Sequence, residues 1–338
     1  MCTINEEVSG EEVWEEWEIK SDGPPQLTRH SAVLYQDRMY LFGGTDNSLE
    51  SQRVYVLDLA SRQWTCKGPE GPQLPPGVDS HSAVVHSGKM IVYGGFIGGS
   101  RSSRAFCLDL PTLHWREIDA IGELPTPRAS HTAVVNADCM YVFGGSGEDG
   151  SKLDDLWKLD LLARKWERLY LRGECPEGRS GHSACCFGNY MVVFGGVREL
   201  TKETNEMWAL CFDSLEWTLL QEERKIEDPV SAAQLEEYKR GKPSKTHSPQ
   251  TAPVKKHSES PTSPSPRPQP HFHLYEGPPS PLVGRIIGRA PYPRDGHSAV
   301  IVNDKMLVFG GDRYQMPFND LYAYSLSDSS LRRTSKAK

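Results

Sequence analysis

Histidines are the residues of this chain that first suggest chemistry, because imidazole can act as an acid, a base or a metal ligand. Eleven occur among the 338 residues, and five of them begin the triplet His-(Ser/Thr)-Ala. A Gly-Gly doublet ends fourteen residues after each of these five. The histidines are His30, His81, His131, His182 and His297, and the second glycines are Gly44, Gly95, Gly145, Gly196 and Gly311. A spacing kept five times indicates a repeated structural unit, so we expect these histidines to serve the fold rather than one catalytic site.

Other reactive residue types do not form a recognisable site. His271 and His273 alternate as strand residues do, but no third metal ligand lies near them in the sequence. The eight cysteines include no Cys-x-x-Cys pair. A phosphate-binding loop would be followed by a helix, whereas the Gly-Gly doublets follow apolar runs and no helix begins after them. We therefore predict no catalytic residue, no metal and no cofactor.

The elements that carry the repeat are predicted to be short β-strands. Successive doublets in the first four copies lie 50 or 51 residues apart, and each copy contains apolar or alternating runs separated by turn residues. Each doublet is followed by an aromatic residue and, in four copies, by a tryptophan nine residues later. These residues are Tyr55, Phe106, Trp157, Trp208 and Tyr322, then Trp64, Trp115, Trp166 and Trp217. The pattern favours a four-stranded antiparallel sheet in each copy.

Taken together, the repeated residues resemble the kelch repeat. The pattern is Arg-x-x-His-(Ser/Thr)-Ala, a strand ending in Gly-Gly, then Asn or Asp before an aromatic residue, then Trp. The copy that matches best comprises Arg128–His131, Gly144–Gly145, Asp155–Trp157 and Trp166. The first two copies depart from it, since Arg29 adjoins His30 and Val78 replaces the arginine. The resemblance implies an all-β propeller of five recognisable four-stranded blades, with six possible.

The ends of the repeated region predict how a ring of blades would close. The fifth copy lacks its tryptophan, because Leu331 stands at that position, while Trp14 has the spacing of a fourth-strand tryptophan before His30. We expect Trp14–Ile19 to complete the fifth blade. The predicted divisions are an acidic tail over 1–13, blades over 14–220, an insertion over 221–290, the last blade over 291–326 and a basic tail over 327–338.

The insertion is the segment whose composition differs from the repeats. Its centre, His247–Pro270, is dense in Ser, Thr, Pro and Lys and predicts disorder, while Ser231–Arg240 reads as a short helix. Four of the serines that precede proline are candidates for proline-directed phosphorylation, namely Ser248, Ser263, Ser265 and Ser280. An insertion without a role is the alternative, because surface insertions cost little stability.

Propeller loops at one end of a ring form a composite surface, and the loops that follow the doublets are the candidates here. They carry arginines and aromatic residues, the types that dominate protein interfaces. The predicted contact residues are Phe96, Arg101, Arg104, Arg198, Arg313, Tyr314 and Phe318. We expect this basic and aromatic face to bind an acidic protein segment. The alternative is that these arginines are ordinary solvated loop residues whose charge is offset by neighbouring acidic residues.

Composition limits the remaining function classes. The formal net charge of −7 disfavours nucleic acid as a partner, and no apolar run predicts a signal peptide or a membrane span. Cysteines at strand positions read as small apolar residues of a reducing compartment, so a cytoplasmic or nuclear location is expected. The chain is also expected to be a monomer.

The sequence therefore predicts a non-enzymatic protein-interaction scaffold. The chain resembles kelch proteins without BTB or F-box segments, which implies a role in trafficking, cytoskeletal or ciliary assemblies without choosing among them. Two alternatives stay open, a small-molecule or carbohydrate-active enzyme of the mutarotase type and a substrate adaptor of a ubiquitin ligase.

Overall fold

The computed structural model describes residues 19–46, 49–199, 201–223, 290–302, 304–313, 316–318 and 320–326. Contacts divide the chain into two units. The first comprises Met1–Arg224 with Ala290–Lys338, and the second, Lys225–Arg289, lies outside the described residues. All regular secondary structure in the described residues is β-strand.

The first unit is a series of antiparallel sheets, called blades 1 to 5. Blade 1 contains β1 (Ser31–Tyr35), β2 (Arg38–Phe42), β5 (Val54–Asp58) and β6 (Gln63–Lys67), with the hairpin β3 (Thr45–Asp46) and β4 (Leu49–Glu50) between β2 and β5. Blade 2 contains β7 (Ser82–His86), β8 (Lys89–Tyr93), β11 (Ala105–Asp109) and β12 (His114–Glu117), with the hairpin β9 (Phe96–Ile97) and β10 (Ser100–Arg101). Each blade is an up-and-down meander in which neighbouring strands pair antiparallel.

The next two blades repeat this arrangement. The strand β13 (Ile121–Gly122) precedes blade 3, which contains β14 (Thr132–Asn136), β15 (Cys139–Phe143), β16 (Leu156–Asp160) and β17 (Lys165–Leu169). The strand β18 (Arg179–Ser180) precedes blade 4, which contains β19 (Ser183–Phe187), β20 (Tyr190–Phe194), β23 (Met207–Cys211) and β24 (Trp217–Gln221), with the hairpin β21 (Val197–Arg198) and β22 (Lys202–Glu203). β13 adds a fifth strand to blade 3 by pairing parallel to β17.

Blade 5 has three strands in the described residues. They are β25 (Ser298–Val302), β26 (Lys305–Phe309) and β29 (Leu321–Ser325), with the hairpin β27 (Asp312–Arg313) and β28 (Met316–Pro317). The sheet order is β25-β26-β29, so no described strand pairs with the outer edge of β29. Trp14–Glu18, predicted to fill this edge, lie outside the described residues, and Ile19 is not in a strand. Closure by the N-terminal strand stays a prediction.

The core lies between blades. The second and third strands of a blade are buried on both faces and are therefore almost continuously apolar, as in Met191–Phe194 of β20. The first strands of successive blades pack side by side, β1 on β7, β7 on β14, β14 on β19 and β19 on β25. In blades 1 to 3, the aromatic residue at the end of the second strand meets the tryptophan of the following blade, as Tyr93 meets Trp166 with ring centroids 4.9 Å apart. Neighbouring blades thus cover apolar faces that one sheet could not bury alone.

These observations confirm the all-β fold of four-stranded sheets that the repeats predicted. The short hairpins after the doublets and the strand β13 were not predicted. The helix predicted over Ser231–Arg240 and the two tails, 1–13 and 327–338, lie outside the described residues.

Candidate functional site

The repeat histidines join one blade to the next. The ring nitrogen Nε2 of His81 lies 2.7 Å from the Ser31 hydroxyl of blade 1, and that of His131 lies 2.8 Å from the Ser82 hydroxyl of blade 2. The same bond links His182 to Thr132 at 2.7 Å and His297 to Ser183 at 2.8 Å. Each bond pairs a histidine with the residue that follows the histidine of the preceding blade. The repeat histidines therefore form contacts between successive blades.

Burial keeps these imidazoles neutral. It lowers the pKa of His81 and of His297 to about 3, and it lowers the pKa of His131 and His182 well below the ordinary value. A histidine that stays neutral and buried near pH 7 is a poor general base, since it can neither charge nor meet a substrate. Across the described ranges, no group of three or more His, Cys, Asp or Glu side chains is arranged to hold a metal ion.

The glycine doublets make room for these histidines. Gly94 has φ of +67°, and a Cβ added to it would lie 2.7 Å from Cε1 of His131 in the next blade. Gly95 has φ of +92°, and a Cβ there would lie 2.5 Å from the Asp79 carbonyl oxygen. Both the left-handed backbone and the close approach require glycine. The doublet and the histidine are therefore two parts of one contact.

Three blades contain a buried arginine paired with a carboxylate. Arg128 donates to both oxygens of Asp155 at 2.7 and 2.9 Å. Arg179 pairs with Glu206 at 2.8 Å, and Arg294 pairs with Asp320. The sequence identified the arginine as a motif position but missed its partner. The signal was present, because each acidic residue directly precedes the third strand of its blade.

The candidate site is a surface that we call the loop face. It comprises the segments that follow the doublets and the two residues that precede each repeat histidine. The two sets are joined by β-bridges, for example Asp79 to Phe96 and Asp295 to Asp312. A chain of backbone hydrogen bonds crosses the face from blade to blade, with the amide of Ser80 donating to Arg29, Ser130 to Ser80, Gly181 to Ser130 and Gly296 to Gly181. The face is therefore a continuous surface across five blades.

Two of the predicted contact residues come together on blade 2. The guanidinium of Arg101 lies over the ring of Phe96, 4.9 Å from its centroid. It also donates to the Ser146 hydroxyl at 3.3 Å and to the Glu148 carbonyl oxygen at 3.3 Å, both in the loop of blade 3. Arg101 thus links two neighbouring loops and is held in place.

Two other predicted arginines are neutralised within the fold. Arg198 is buried and pairs with Glu177, Glu206 and Glu223. Arg104 pairs with both carboxylate oxygens of Glu117 at 2.7 Å. It occupies the position that holds the acidic partner of the buried arginine in blades 3 to 5. Each of these two charges already has a carboxylate partner within the fold.

The predicted residues of blade 5 are more dispersed. The ring of Phe318 stacks on Tyr292 with centroids 6.2 Å apart, and the buried Arg294 lies over the same ring. Arg313 is half-buried, and Tyr314 lies outside the described residues. The four candidate phosphorylation sites, Ser248, Ser263, Ser265 and Ser280, lie outside them as well.

Sequence reasoning missed a charged group between blades 3 and 5. Lys152 donates to the Ser180 hydroxyl at 2.8 Å. Burial lowers the pKa of its ammonium group. The positive charge of Arg101 lowers this pKa further, and the negative charge of Asp295 partly raises it. Burial together with the charges of Asp312 and Glu203 raises the pKa of Asp295 to about 6. The loop face therefore has a basic part around Arg101 and Lys152 and an acidic part on blade 5.

Two family models match the chain. One is described as the KLHDC2/KLHL20/DRC7 Kelch-repeats domain and matches residues 8–135 and 98–237, and the other is described as the Kelch motif and matches residues 293–330. Within the described residues, no helix has the length and apolar character needed to span a membrane.

Several curated proteins are similar to this chain. Acyl-CoA-binding domain-containing protein 5 of Arabidopsis thaliana is 34% identical over 187 residues, which cover 52% of this chain and 28% of the relative. Host cell factor 2 of Homo sapiens is 31% identical over 251 residues, which cover 62% of this chain and 31% of the relative. Kelch domain-containing protein 2 of Bos taurus is 27% identical over 236 residues, which cover 60% of this chain and 57% of the relative. The chain thus spans less than two thirds of the length of each of these relatives.

Proposed function

Because this chain belongs to the kelch-repeat family, we propose that it is a protein-interaction module whose loop face binds an acidic segment of a protein partner. A fold alone does not assign a function, so the proposal rests on the chemistry of the loop face. None of the three relatives described above carries the name of a reaction.

The proposal depends on two cationic side chains, Arg101 and Lys152, whose hydrogen-bond acceptors in the fold are neutral groups. Arg101 donates to the Ser146 hydroxyl and a backbone carbonyl, and Lys152 donates to the Ser180 hydroxyl. In the part of the chain that the structure describes, neither side chain forms a salt bridge. Carboxylates of a partner could therefore form charge-assisted hydrogen bonds there without displacing an existing ion pair.

The surroundings of the two cations support binding rather than simple solvation. Ser146 lies between them, since it accepts from Arg101 and forms a β-bridge with Lys152. Phe96 adds an apolar surface beneath the guanidinium. Lys152 is half-buried, so an anion beside it is less screened than one at an exposed lysine. The acidic part of the face, at Asp295, would repel an extended run of acidic residues and so limit which segments fit.

Charge reversal tests this proposal. The double variant Arg101→Glu/Lys152→Glu should reduce recovery of the main partners at least tenfold in affinity purification with quantitative mass spectrometry, because two attractive contacts become repulsive. The matched control is Lys67→Glu/Lys165→Glu, which reverses the same number of charges at exposed positions of the outer strands β6 and β17. Equal partner recovery from both variants, with unchanged melting temperatures, would show that the loop charges are only solvated.

We further propose that phosphorylation of the insertion regulates this binding. The proposal rests on the serine-proline sites at Ser248, Ser263, Ser265 and Ser280. Phosphorylation mapping in cells should find at least one of them modified. Deletion of residues 226–287, which keeps all described contacts of the blades, should then change partner recovery. Unmodified serines and an unchanged partner set after the deletion would refute this regulation.

A further inference from the structure

One position of the loop face carries a different residue type from blade to blade. In each blade it pairs across the loop with the residue that directly follows the Gly-Gly doublet. From blade 1 to blade 5 this position is Glu50, Arg101, Lys152, Glu203 and Pro317. Of the five residues, Lys152 alone has an amine side chain, and an amine is a nucleophile when it is neutral.

The backbone of Lys152 is held in place by its neighbours. Lys152 forms a β-bridge with Ser146, and the amide of the next residue, Leu153, donates to the Gly145 carbonyl oxygen at 2.9 Å. Gly178 packs on the other side of the chain so closely that a Cβ there would lie 2.3 Å from the Lys152 carbonyl oxygen. The side chain therefore extends from a fixed point of the loop face.

The half-buried side chain of Lys152 crosses from blade 3 to blade 4. Its Nζ donates to the Ser180 hydroxyl at 2.8 Å, and Ser180 directly precedes Gly181. The carboxylate of Asp295 lies against Gly181, where an added Cβ would be 3.1 Å from its Oδ2. Arg101 approaches from blade 2, since its guanidinium donates to the β-bridge partner of Lys152. The polar neighbours of the amine are thus a hydroxyl, a cation and a carboxylate.

This environment favours the neutral form of the amine. Burial and the charge of Arg101 lower the pKa of Lys152, although Asp295 acts in the opposite direction. A lysine becomes a nucleophile when it is desolvated or lies beside another cation, and both conditions hold here. Lys158 of the same blade provides the contrast, because its Nζ lies 2.8 Å from Oε2 of Glu167 and this hydrogen bond raises its pKa.

We propose that Lys152 is a site of acylation, at which the side-chain amine accepts an acyl group from a thioester. The neutral nitrogen attacks the thioester carbonyl carbon, a C–N bond forms and the C–S bond breaks. The thiolate leaves with the electron pair of the broken bond and takes up the proton that the nitrogen loses. The neighbouring guanidinium of Arg101 stabilises the negative charge that develops on the carbonyl oxygen during the attack.

Acylation of Lys152 has a consequence for binding that rests on the function proposed above. The amide product carries no charge, so the basic part of the loop face keeps Arg101 but loses its second cation. An acidic segment of a partner then binds more weakly. The acylation itself depends on no partner and is tested on the protein alone.

Rates of acylation at single lysines test the proposal. The full chain is incubated at pH 7.5 with the acetyl thioester of N-acetylcysteamine, and acetylation is followed by quantitative peptide mass spectrometry. Lys152 should react about fivefold faster than Lys158, because more of its amine is neutral. Lys158 is the matched control, since it is a half-buried lysine of the same blade whose amine pairs with Glu167.

Two variants distinguish an activated amine from one that is only accessible. Arg101→Gln removes the cation that lowers the pKa of Lys152 and should slow its acetylation about threefold. Asp295→Asn removes the charge that raises this pKa and should accelerate the reaction about threefold. Lys158 should react at the parent rate in both variants.

Two results would overturn the proposal. One is acetylation of Lys152 in the parent chain that is no faster than that of Lys158, and the other is a rate at Lys152 that neither variant changes. Both results leave the proposed function standing, since partner recovery from Arg101→Glu/Lys152→Glu tests that function separately. Selective acetylation of Lys152 in a chain whose double variant keeps its partners would support the acylation site and refute binding at the loop face.

Discussion

At the scale of single residues, the loop face contains a repulsion that the fold tolerates. Asp295 and Asp312 form a β-bridge pair, and like charges placed opposite each other across two strands are unfavourable. The equivalent pair in blade 1 consists of two threonines whose hydroxyls lie 3.2 Å apart. Lys152 relieves part of the repulsion, since its charge lowers the pKa of Asp295, but burial and the acidic neighbours prevail.

Replacement of Asp295 by asparagine should stabilise the protein near neutral pH. The folded pKa of about 6 exceeds the ordinary value of 3.8, so the folded state binds the proton more tightly than the unfolded state. The resulting stability is complete below about pH 4 and is lost as the pH rises through 6. Asp295→Asn should therefore raise the free energy of unfolding by about 1–2 kcal/mol at pH 7.5 and change it little at pH 4.

Urea denaturation of the two proteins at pH 4, 5, 6 and 7.5 measures this effect. The control is Asp79→Asn, which alters the same position of blade 2, where a neutral Phe96 stands opposite. If the free energies of unfolding of Asp295→Asn and of the parent chain differ by the same amount at all four pH values, the raised pKa of Asp295 is not the cause.

At the scale of elements, the buried arginines fasten two segments of a blade. Arg128 lies in the segment that leads into β14, and Asp155 directly precedes β16. Burial raises the pKa of Asp155, but the hydrogen bonds and charge of Arg128 outweigh burial and hold the pKa below its ordinary value. The indole of Trp157 donates to the same carboxylate at 2.6 Å. The pair therefore fixes the entry to the first strand against the start of the third.

Removal of the carboxylate should destabilise blade 3 strongly. Asp155→Ala leaves the fully buried Arg128 without its counter-charge and should cost about 3–5 kcal/mol in the free energy of unfolding. The double variant Arg128→Met/Asp155→Ala removes both charges and should be more stable than the single variant. Blade 2 is the natural precedent, since Val78 is buried at the arginine position. Chemical denaturation tests this order, and a double variant less stable than Asp155→Ala would refute it.

The sequence predicted elements better than contacts, for a physical reason. Strand positions follow from local alternation and turn residues, and the doublet spacing locates all five copies in the sequence. The hydroxyl partner of His131 is Ser82, 49 residues away, and no local pattern indicates that distance. The loop-face arginines show the same limit. Arg101 and Arg198 both lie in loops that follow a Gly-Gly doublet, yet Arg198 pairs with three carboxylates that only the fold brings together.

At the scale of the whole molecule, charge is divided unevenly along the chain. Residues 224–289 contain eleven Lys and Arg against six Asp and Glu, a net charge of +5 within a total of −7. The remaining residues therefore carry −12. The acidic partner segment that we propose would approach a negatively charged body, so long-range attraction would contribute little, and short-range hydrogen bonds at Arg101 and Lys152 would have to supply the specificity.

The direction of the histidine contacts has a consequence for how such chains change in evolution. Each of blades 2 to 4 supplies an imidazole to the blade before it and a hydroxyl to the blade after it, so these three blades form the same hydrogen bonds with their neighbours. Duplication of about fifty residues of coding sequence would add a blade whose contacts are already correct on both sides. Loss of the same length would rejoin the neighbours in register. The number of blades can therefore grow or shrink by whole units, while each loop diverges on its own.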